Sequence, residues 1–481
     1  MRWRYLAAVS AAGLALGLSA TAGAAGRTAR QAAPQPTMVS ELRRLVGAGS
    51  ITPAAGAQYM TQWRQALGME NRLRGARAAE LRDVTVTLHQ IAADGQLTPS
   101  RLPAIFLTLQ RNVQWWTSGS LLSYGQRVTF PGSGLVWEYY PGQGLQLQVL
   151  ASFAHANALY AAGPSSYPAL RSLLGELIPL AADRAGGLAW EYYFDFDGGR
   201  PPWISAMAQA TALQALSDGY RAFSDPTYLV VAAQALVPLT APPPAGVSIP
   251  TALGRRFLQY SFAPGADIIN AFLQTLIGLD RYATVSGSAE AQTLFAQGNA
   301  QAQAELPAFN TGSWSLYQPG LEDDLSYHQL VTGFLTQLCG LTTAPVYCTT
   351  ASAFQQDLRT PPVIKPLTAH ARAGRPFALR FRLSKKARVG VVVARGNRRV
   401  LTTSAQFPYG VNAVSLLAPT QPGTYAIRLS ATDLAGNYTR TAATLNILPA
   451  RGRRKASSRS PTRPPSTGGT TLAGTSAASP H

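Results

Sequence analysis

Cysteine is almost missing from this chain. Two occur in 481 residues, Cys339 and Cys348, and only five histidines accompany them, widely scattered. A disulfide-dense scaffold is therefore excluded, and a zinc centre, which needs clustered His and Cys, has little support. The clustered acids Asp195-Phe196-Asp197-Gly198 and Glu322-Asp323-Asp324 lack the spacing of a calcium-binding EF-hand loop and read more simply as a solvated turn or helix cap. Long apolar runs are also lacking. The one near the N-terminus, Leu6–Leu18, falls short of the roughly 20 residues a membrane span needs, and no later segment is long and uninterrupted enough. Acids are scarce, 22 Asp or Glu against 41 Lys or Arg, for a net charge of +19.

That charge is concentrated at one end. Residues 361–481 hold nineteen Lys or Arg against a single acid, Asp433, so the preceding part is close to neutral. At the other end, Arg2 and Arg4, the Leu6–Leu18 stretch and Ala22-Gly23-Ala24 form the pattern of a secretory signal, here 1–24. The expectation is an exported protein, secreted or wall-associated, with no transmembrane span. In an exported chain, Cys339 and Cys348 are expected to form a disulfide.

Residues 25–37 are small, polar and Pro-containing, and read as a disordered spacer. Helical spacing dominates from Met38 to Trp116. Residues 124–140 read as two short strands or an extended loop. Helices are then expected at Leu145–Tyr160, Pro168–Leu180, Ser205–Arg221, Pro226–Leu236, Ile268–Tyr282, Ala289–Leu306 and Tyr327–Cys339. Past Thr360-Pro361-Pro362 the period changes to short alternating strands such as Val389-Gly390-Val391-Val392-Val393. The segment from Gly423 to Asn437 resembles the last hairpin of bacterial immunoglobulin-like modules. An antiparallel immunoglobulin-like sandwich is expected over 363–448, after a mainly α domain over 38–360 and before a disordered basic tail at 449–481.

A four-residue block occurs twice, Trp137-Glu138-Tyr139-Tyr140 and Trp190-Glu191-Tyr192-Tyr193, each followed by a Gly/Pro loop and an apolar helix. The repetition suggests a ring of helix pairs whose loops gather at one end, where aromatic faces receive sugar rings. Trp137, Trp190, Trp203, Trp314 and Tyr193 are candidates to stack on sugars, or else plugs of the core.

Three ordered segments carry a family resemblance: Trp203-Ile204-Ser205-Ala206-Met207-Ala208-Gln209; Phe257-Leu258-Gln259-Tyr260 leading into Ile268–Leu279; and Asn310–Tyr317 leading into Tyr327-His328. Over roughly residues 135–341 the chain resembles the C-terminal domain of D-glucuronyl C5-epimerases, which invert uronic acid residues within a polysaccharide. The resemblance implies an α/α barrel-like (toroid) fold with a polysaccharide groove at its loop end, no cofactor, and active-site tyrosines at Tyr260, Tyr317 and Tyr327. Met207 and Gln209 match the family segment, although helical spacing makes Met207 a core residue. The family has a glutamate immediately before the first tyrosine; this chain has Gln259.

Inverting C5 means removing a proton alpha to a carboxylate and returning one to the opposite face, with that carboxylate neutralised. By analogy Tyr317 and Tyr327 are the acid/base groups and Tyr260 a third donor. Tyrosine serves as a base only if a nearby cation lowers its pKa of about 10. Arg255 and Arg256 are candidate clamps or cations, Arg200 a weaker one. Gln259 can bind a carboxylate but not take a proton. Glu138 and Glu191 either replace the missing carboxylate or hold ion pairs, and His328 either assists Tyr327 or is structural. The rival activities are a uronic acid lyase, which starts from the same carbanion, and a non-catalytic glycan-binding wall protein. The basic C-terminal region is expected to hold the protein on anionic envelope polymer or on its own substrate rather than on nucleic acid.

Overall fold

The structure is a computed structural model that describes residues 35–450. The expected leader, the spacer up to residue 34 and the tail from 451 lie outside the described residues. Twelve α-helices are described: α1 (Met38–Gly47), α2 (Pro53–Arg72), α3 (Gly75–Ala93), α4 (Leu102–Ser118), α5 (Val149–Ala161), α6 (Tyr167–Leu177), α7 (Ala206–Phe223), α8 (Thr227–Leu236), α9 (Ile269–Ser286), α10 (Ala289–Glu305), α11 (Leu325–Thr342) and α12 (Pro345–Asp357).

From α5 onward the helices form hairpins. In the row α5, α7, α9, α11 each helix packs on the next, while α6, α8, α10 and α12 return the chain behind them. Composition explains which helices lie inside. From Ala206 to Leu213 and from Ile269 to Leu279 every residue of α7 and α9 is buried, so these helices need apolar cover on all sides. Outer helix α10 buries only Ala291, Leu294, Gly298 and Ala302. Inner helices α7 and α9 come very close. A Cβ on Gly278 would lie 2.1 Å from the Ala210 carbonyl oxygen, so only glycine fits there.

A small sheet or hairpin precedes each inner helix. Before α5 come β1 (Arg127–Val128), β2 (Trp137–Tyr140) and β3 (Gly144–Leu147); before α7, β4 (Ala182–Arg184) and β5 (Gly187–Ala189). Before α9 come β6 (Ser248–Pro250) and β7 (Arg255–Phe257), and before α11, β8 (Leu316–Gln318) and β9 (Leu321–Glu322). Since one outer helix separates successive inner ones, the segments leading into their N-termini collect at one end.

Two expectations are corrected. The helix expected from Leu145 starts at Val149, because Leu145 belongs to β3. Its N–H donates to Asn112 Oδ1 (2.8 Å) and its carbonyl accepts from Asn112 Nδ2 (2.7 Å), which satisfies the backbone outside a helix. Helix α12, opened by Pro345, lies beyond the last helix expected, and Cys339 is bonded to Cys348 across its junction with α11.

Past α12 come β10 (Ile364–Pro366), β11 (His370–Arg372), β12 (Pro376–Leu383), β13 (Ala387–Arg395), β14 (Arg398–Phe407), β15 (Gly410–Leu417), β16 (Gly423–Asp433) and β17 (Tyr438–Leu448). They form a three-stranded sheet, β10-β12-β15, and a five-stranded one, β11-β17-β16-β13-β14. Strict alternation makes one face of each sheet apolar: Val389, Val391 and Val393 pair with Ala431, Leu429 and Ile427, and share a core with Leu379, Phe381 and Leu383 of the other sheet.

Candidate functional site

Tyr317 lies on β8 and Tyr327 in the first turn of α11, whose N-terminus is capped by Asp324 accepting from the Tyr327 N–H (2.9 Å). The two rings meet edge to face with centroids 5.1 Å apart. Tyr260, from the segment leading into α9, lies close enough to Tyr317, and Gln259 close enough to the Tyr260 hydroxyl, for each to act on its neighbour's ionisation. Three tyrosines from two separate approach segments and one helix start thus converge.

An aromatic wall backs them. The Tyr260 ring contacts Phe262 (5.2 Å), Phe196 (5.6 Å) and Trp203 (5.6 Å), and Trp203 stacks on Tyr192 at 4.2 Å. The wall continues through Phe194 and Phe196 to Tyr140. Gln148, just before α5, ties it together by donating to the Tyr140 hydroxyl (3.0 Å) and accepting from that of Tyr192 (3.3 Å). Glu138 is buried here, paired with Arg127 at 2.7 Å, and its charge acts on Tyr140 and Tyr327. Exposed Asp197, at φ 47° in the 195–199 turn, extends its charge to Tyr260 and Tyr317.

Burial dominates the electrostatics. It pushes the phenols of Tyr260, Tyr317 and Tyr327 well above the usual tyrosine value, and no cation figures among the causes. The cation expected to lower a phenol pKa is thus not among these causes, and burial disfavours the ionised form of all three hydroxyls. Arg255 and Arg256 fail to reach them because both are engaged toward α10. Arg255 donates to Gln297 (2.9 Å) and to the Thr240 carbonyl, and Arg256 is paired with Glu305 and Asp267.

Other candidates are also displaced. Glu191 has a fully buried side chain held by Arg101 (2.7 Å) and Arg184 (2.6 Å), and Tyr193 donates to it, so that half of the second aromatic block is an ion-pair core. His328 is buried between Ser315, whose Oγ lies 2.8 Å from Nδ1, and the Phe354 carbonyl (3.1 Å from Nε2); its ring stacks on Trp314, not on a groove. Trp137, Trp190 and Trp314 are buried in the core, whereas Trp203, also buried, keeps its place in the wall against Tyr260; Met207 and Gln209 are core residues of α7. An open cavity of about 520 Å³ lined by Arg101, Arg184, Pro201 and Pro244 lies on the Glu191 side rather than over the tyrosines. No group of acids, His or Cys suited to a metal ion occurs among the described residues.

Sequence reasoning missed Tyr140, Tyr192 and Gln148 as parts of the wall. The signal was present, since Tyr140 and Tyr192 belong to the repeated aromatic blocks, but only the strand pairing of the first block shows which tyrosine turns toward the site.

Residues 185–356 match the family model described as the D-glucuronyl C5-epimerase C-terminus. A D-glucuronyl C5-epimerase of Caenorhabditis elegans is 31% identical over 130 residues, 24% of this chain and 21% of that protein. An uncharacterized protein of Methanocaldococcus jannaschii is 26% identical over 137 residues, 27% of this chain and 44% of that one. The chain thus spans less than half the length of either curated relative. Among solved structures, a sugar epimerase from a ruminal bacterium aligns at 11% identity with a TM-score of 0.36, over 53% of this chain and 69% of that one.

Proposed function

Because residues 185–356 belong to the D-glucuronyl C5-epimerase C-terminal family, we propose that this protein is an exported, polysaccharide-modifying isomerase that inverts C5 of glucuronate residues. Its helical part is an α/α toroid and its C-terminal part an immunoglobulin-like module that presents basic faces to anionic polymer. The observation that carries the reading is the convergence of Tyr260, Tyr317 and Tyr327, each at a position the family resemblance marks.

In this reading the protonated phenols of Tyr317 and Tyr327 face one side of the sugar. The C5 proton leaves for a carboxylate on the other side, and the C–H electron pair spreads into the adjacent carboxylate as an enediolate. A phenol proton then goes to the opposite face of C5, and the phenolate and the new carboxylic acid exchange protons with solvent. Asp197 is assigned as the acceptor, being the exposed carboxylate whose charge reaches Tyr260 and Tyr317. With Arg255 and Arg256 engaged elsewhere, Tyr260 and the Gln259 amide are assigned as donors to the substrate carboxylate.

Incubation with an unsulfated glucuronate polymer in deuterated water tests this. An epimerase incorporates deuterium at C5, and Tyr317→Phe or Tyr327→Phe lowers the rate by roughly 100-fold. Ultraviolet-absorbing unsaturated chain ends would instead identify a lyase. Binding with neither exchange nor cleavage would identify a non-catalytic glycan-binding protein, the reading that Gln259 in place of a glutamate favours.

A further inference from the structure

We propose that the C-terminal sandwich is a brace that fixes the tyrosine-bearing hairpin, with Glu322 as the positioning residue. The inference rests on the reading of Tyr317 and Tyr327 as proton donors.

Hairpin β8–β9 is short, with two or three residues per strand and an irregular register between Leu316 and Gln318. Two-stranded units of this kind are marginal alone, so something outside must set where Tyr317 points. Glu322, the last residue of β9, is buried. Its Oε1 accepts from the Lys386 N–H (2.8 Å) and its Oε2 from the Tyr409 N–H (2.8 Å). These amides lie in two different turns of the sandwich, β12–β13 and β14–β15. One carboxylate on the tyrosine hairpin therefore clamps both turns.

Next to it, Lys385 is 1% exposed and enters the helical domain. Its ammonium donates to the carbonyls of Asp357 (2.7 Å) and Thr360 (2.6 Å) and pairs with Asp433 (3.0 Å), the sandwich's single acid. It also lies 5.1 Å from the centre of the Trp314 ring, which stacks at 3.8 Å on His328, one residue after Tyr327. Trp314 Nε1 in turn donates to the Asp323 carbonyl (3.0 Å). The hairpin is thus gripped at its far strand through Glu322 and at its base through Trp314. Buried charges are costly unless they are paired and hydrogen-bonded; here all three ammonium protons of Lys385 have a partner and each Glu322 oxygen accepts one backbone N–H. Such a contact specifies a geometry more than it adds affinity between domains.

The test uses the full chain with Glu322→Ala, the near-isosteric Glu322→Gln, which turns an NH2 toward one of the two N–H groups, and Glu322→Asp. Amide hydrogen exchange over residues 314–328 is expected to quicken by about tenfold in the Ala and Gln variants while α5 to α9 stay protected. Deuterium incorporation at C5 under saturating polymer is expected to fall roughly 10- to 100-fold, as for a catalytic group displaced by about an ångström, with the half-saturating polymer concentration unchanged. Glu322→Asp, which keeps the carboxylate, should recover part of both. Unchanged protection of 314–328, or a loosened hairpin with unchanged turnover, would overturn the brace. If the unmodified protein shows no C5 exchange at all, the functional reading fails, and hydrogen exchange alone decides the brace.

Discussion

Gln259 sets its side-chain amide against the Tyr260 hydroxyl and leaves its Oε1 buried without a partner. An unsatisfied acceptor beside a tyrosine cluster is the place where a substrate hydroxyl or a proton would be welcome. Restoring the family's carboxylate with Gln259→Glu exchanges the amide donor to the substrate carboxylate for a second base beside Tyr260; a base's roughly 100-fold gain, offset in part by the lost donor, is expected to raise deuterium incorporation at C5 by about tenfold. The buried carboxylate should cost about 1–3 kcal/mol of stability, read as a lower melting temperature. A stably folded Gln259→Glu variant that exchanges no faster would argue against a base at this position.

The Glu191 pairs make a contrasting prediction. With Arg101 and Arg184 both turned onto one buried carboxylate, Glu191→Ala leaves two largely buried guanidinium groups with carbonyl partners but without their counter-charge. The loss should be about 3–5 kcal/mol in urea unfolding. Because this cluster lies away from the tyrosines, the fraction that remains folded should bind glucuronate polymer as before. Loss of binding in protein still folded by circular dichroism would put Glu191 back in the site.

Much of this arrangement could be read from the sequence. Inner helices α7 and α9 were legible because their apolar character persists over several turns and admits only a buried helix. The tyrosine trio was legible because three motif segments occur in order. The partners of Arg255 and Arg256 were not, because strand alternation leaves open which neighbour faces each side chain, and that neighbour, α10, begins more than thirty residues later. Glu322 looked like a turn acid because the amides it accepts from are 64 and 87 residues away. The rise in the tyrosine pKa values arises from packing by segments distant in sequence, which no local pattern encodes.

Two buried groups beside the hairpin should oppose each other in pH dependence. Burial pushes the Asp323 carboxyl up to about 7 from its ordinary 3.8, against the pull of the Ser315 hydrogen bond. The folded state therefore holds a proton that the unfolded state releases, and this contribution is full below about 3.8 and lost as pH rises through 7. Burial pushes His328 down to about 4 from 6.5, so its contribution is present above 6.5 and lost as pH falls through 4. Asp323→Asn keeps an oxygen for Ser315 and removes only the first effect. The melting temperature of the Asn variant relative to the native protein should climb between pH 5 and pH 8. A constant difference across that range would show that Asp323 stays ionised in the fold.

On the three-stranded sheet, Lys365 lies directly opposite Arg382, and Arg380 lies two residues along the same exposed face. Like charges in directly opposed positions destabilise a sheet, and the module's single acid, Asp433, is buried against Lys385 and neutralises none of them. A surface kept in that state suits a polyanion. Replacing all three with Gln in the full chain should leave the melting temperature unchanged or slightly raised, and should move elution from a polyuronate matrix to lower salt, because each lost cation removes a screened attraction. A neutral dextran matrix should retain neither protein. Equal elution of both proteins from polyuronate would assign its retention to other basic segments and remove this face from the proposal; stronger retention on DNA than on polyuronate would name a different partner for it.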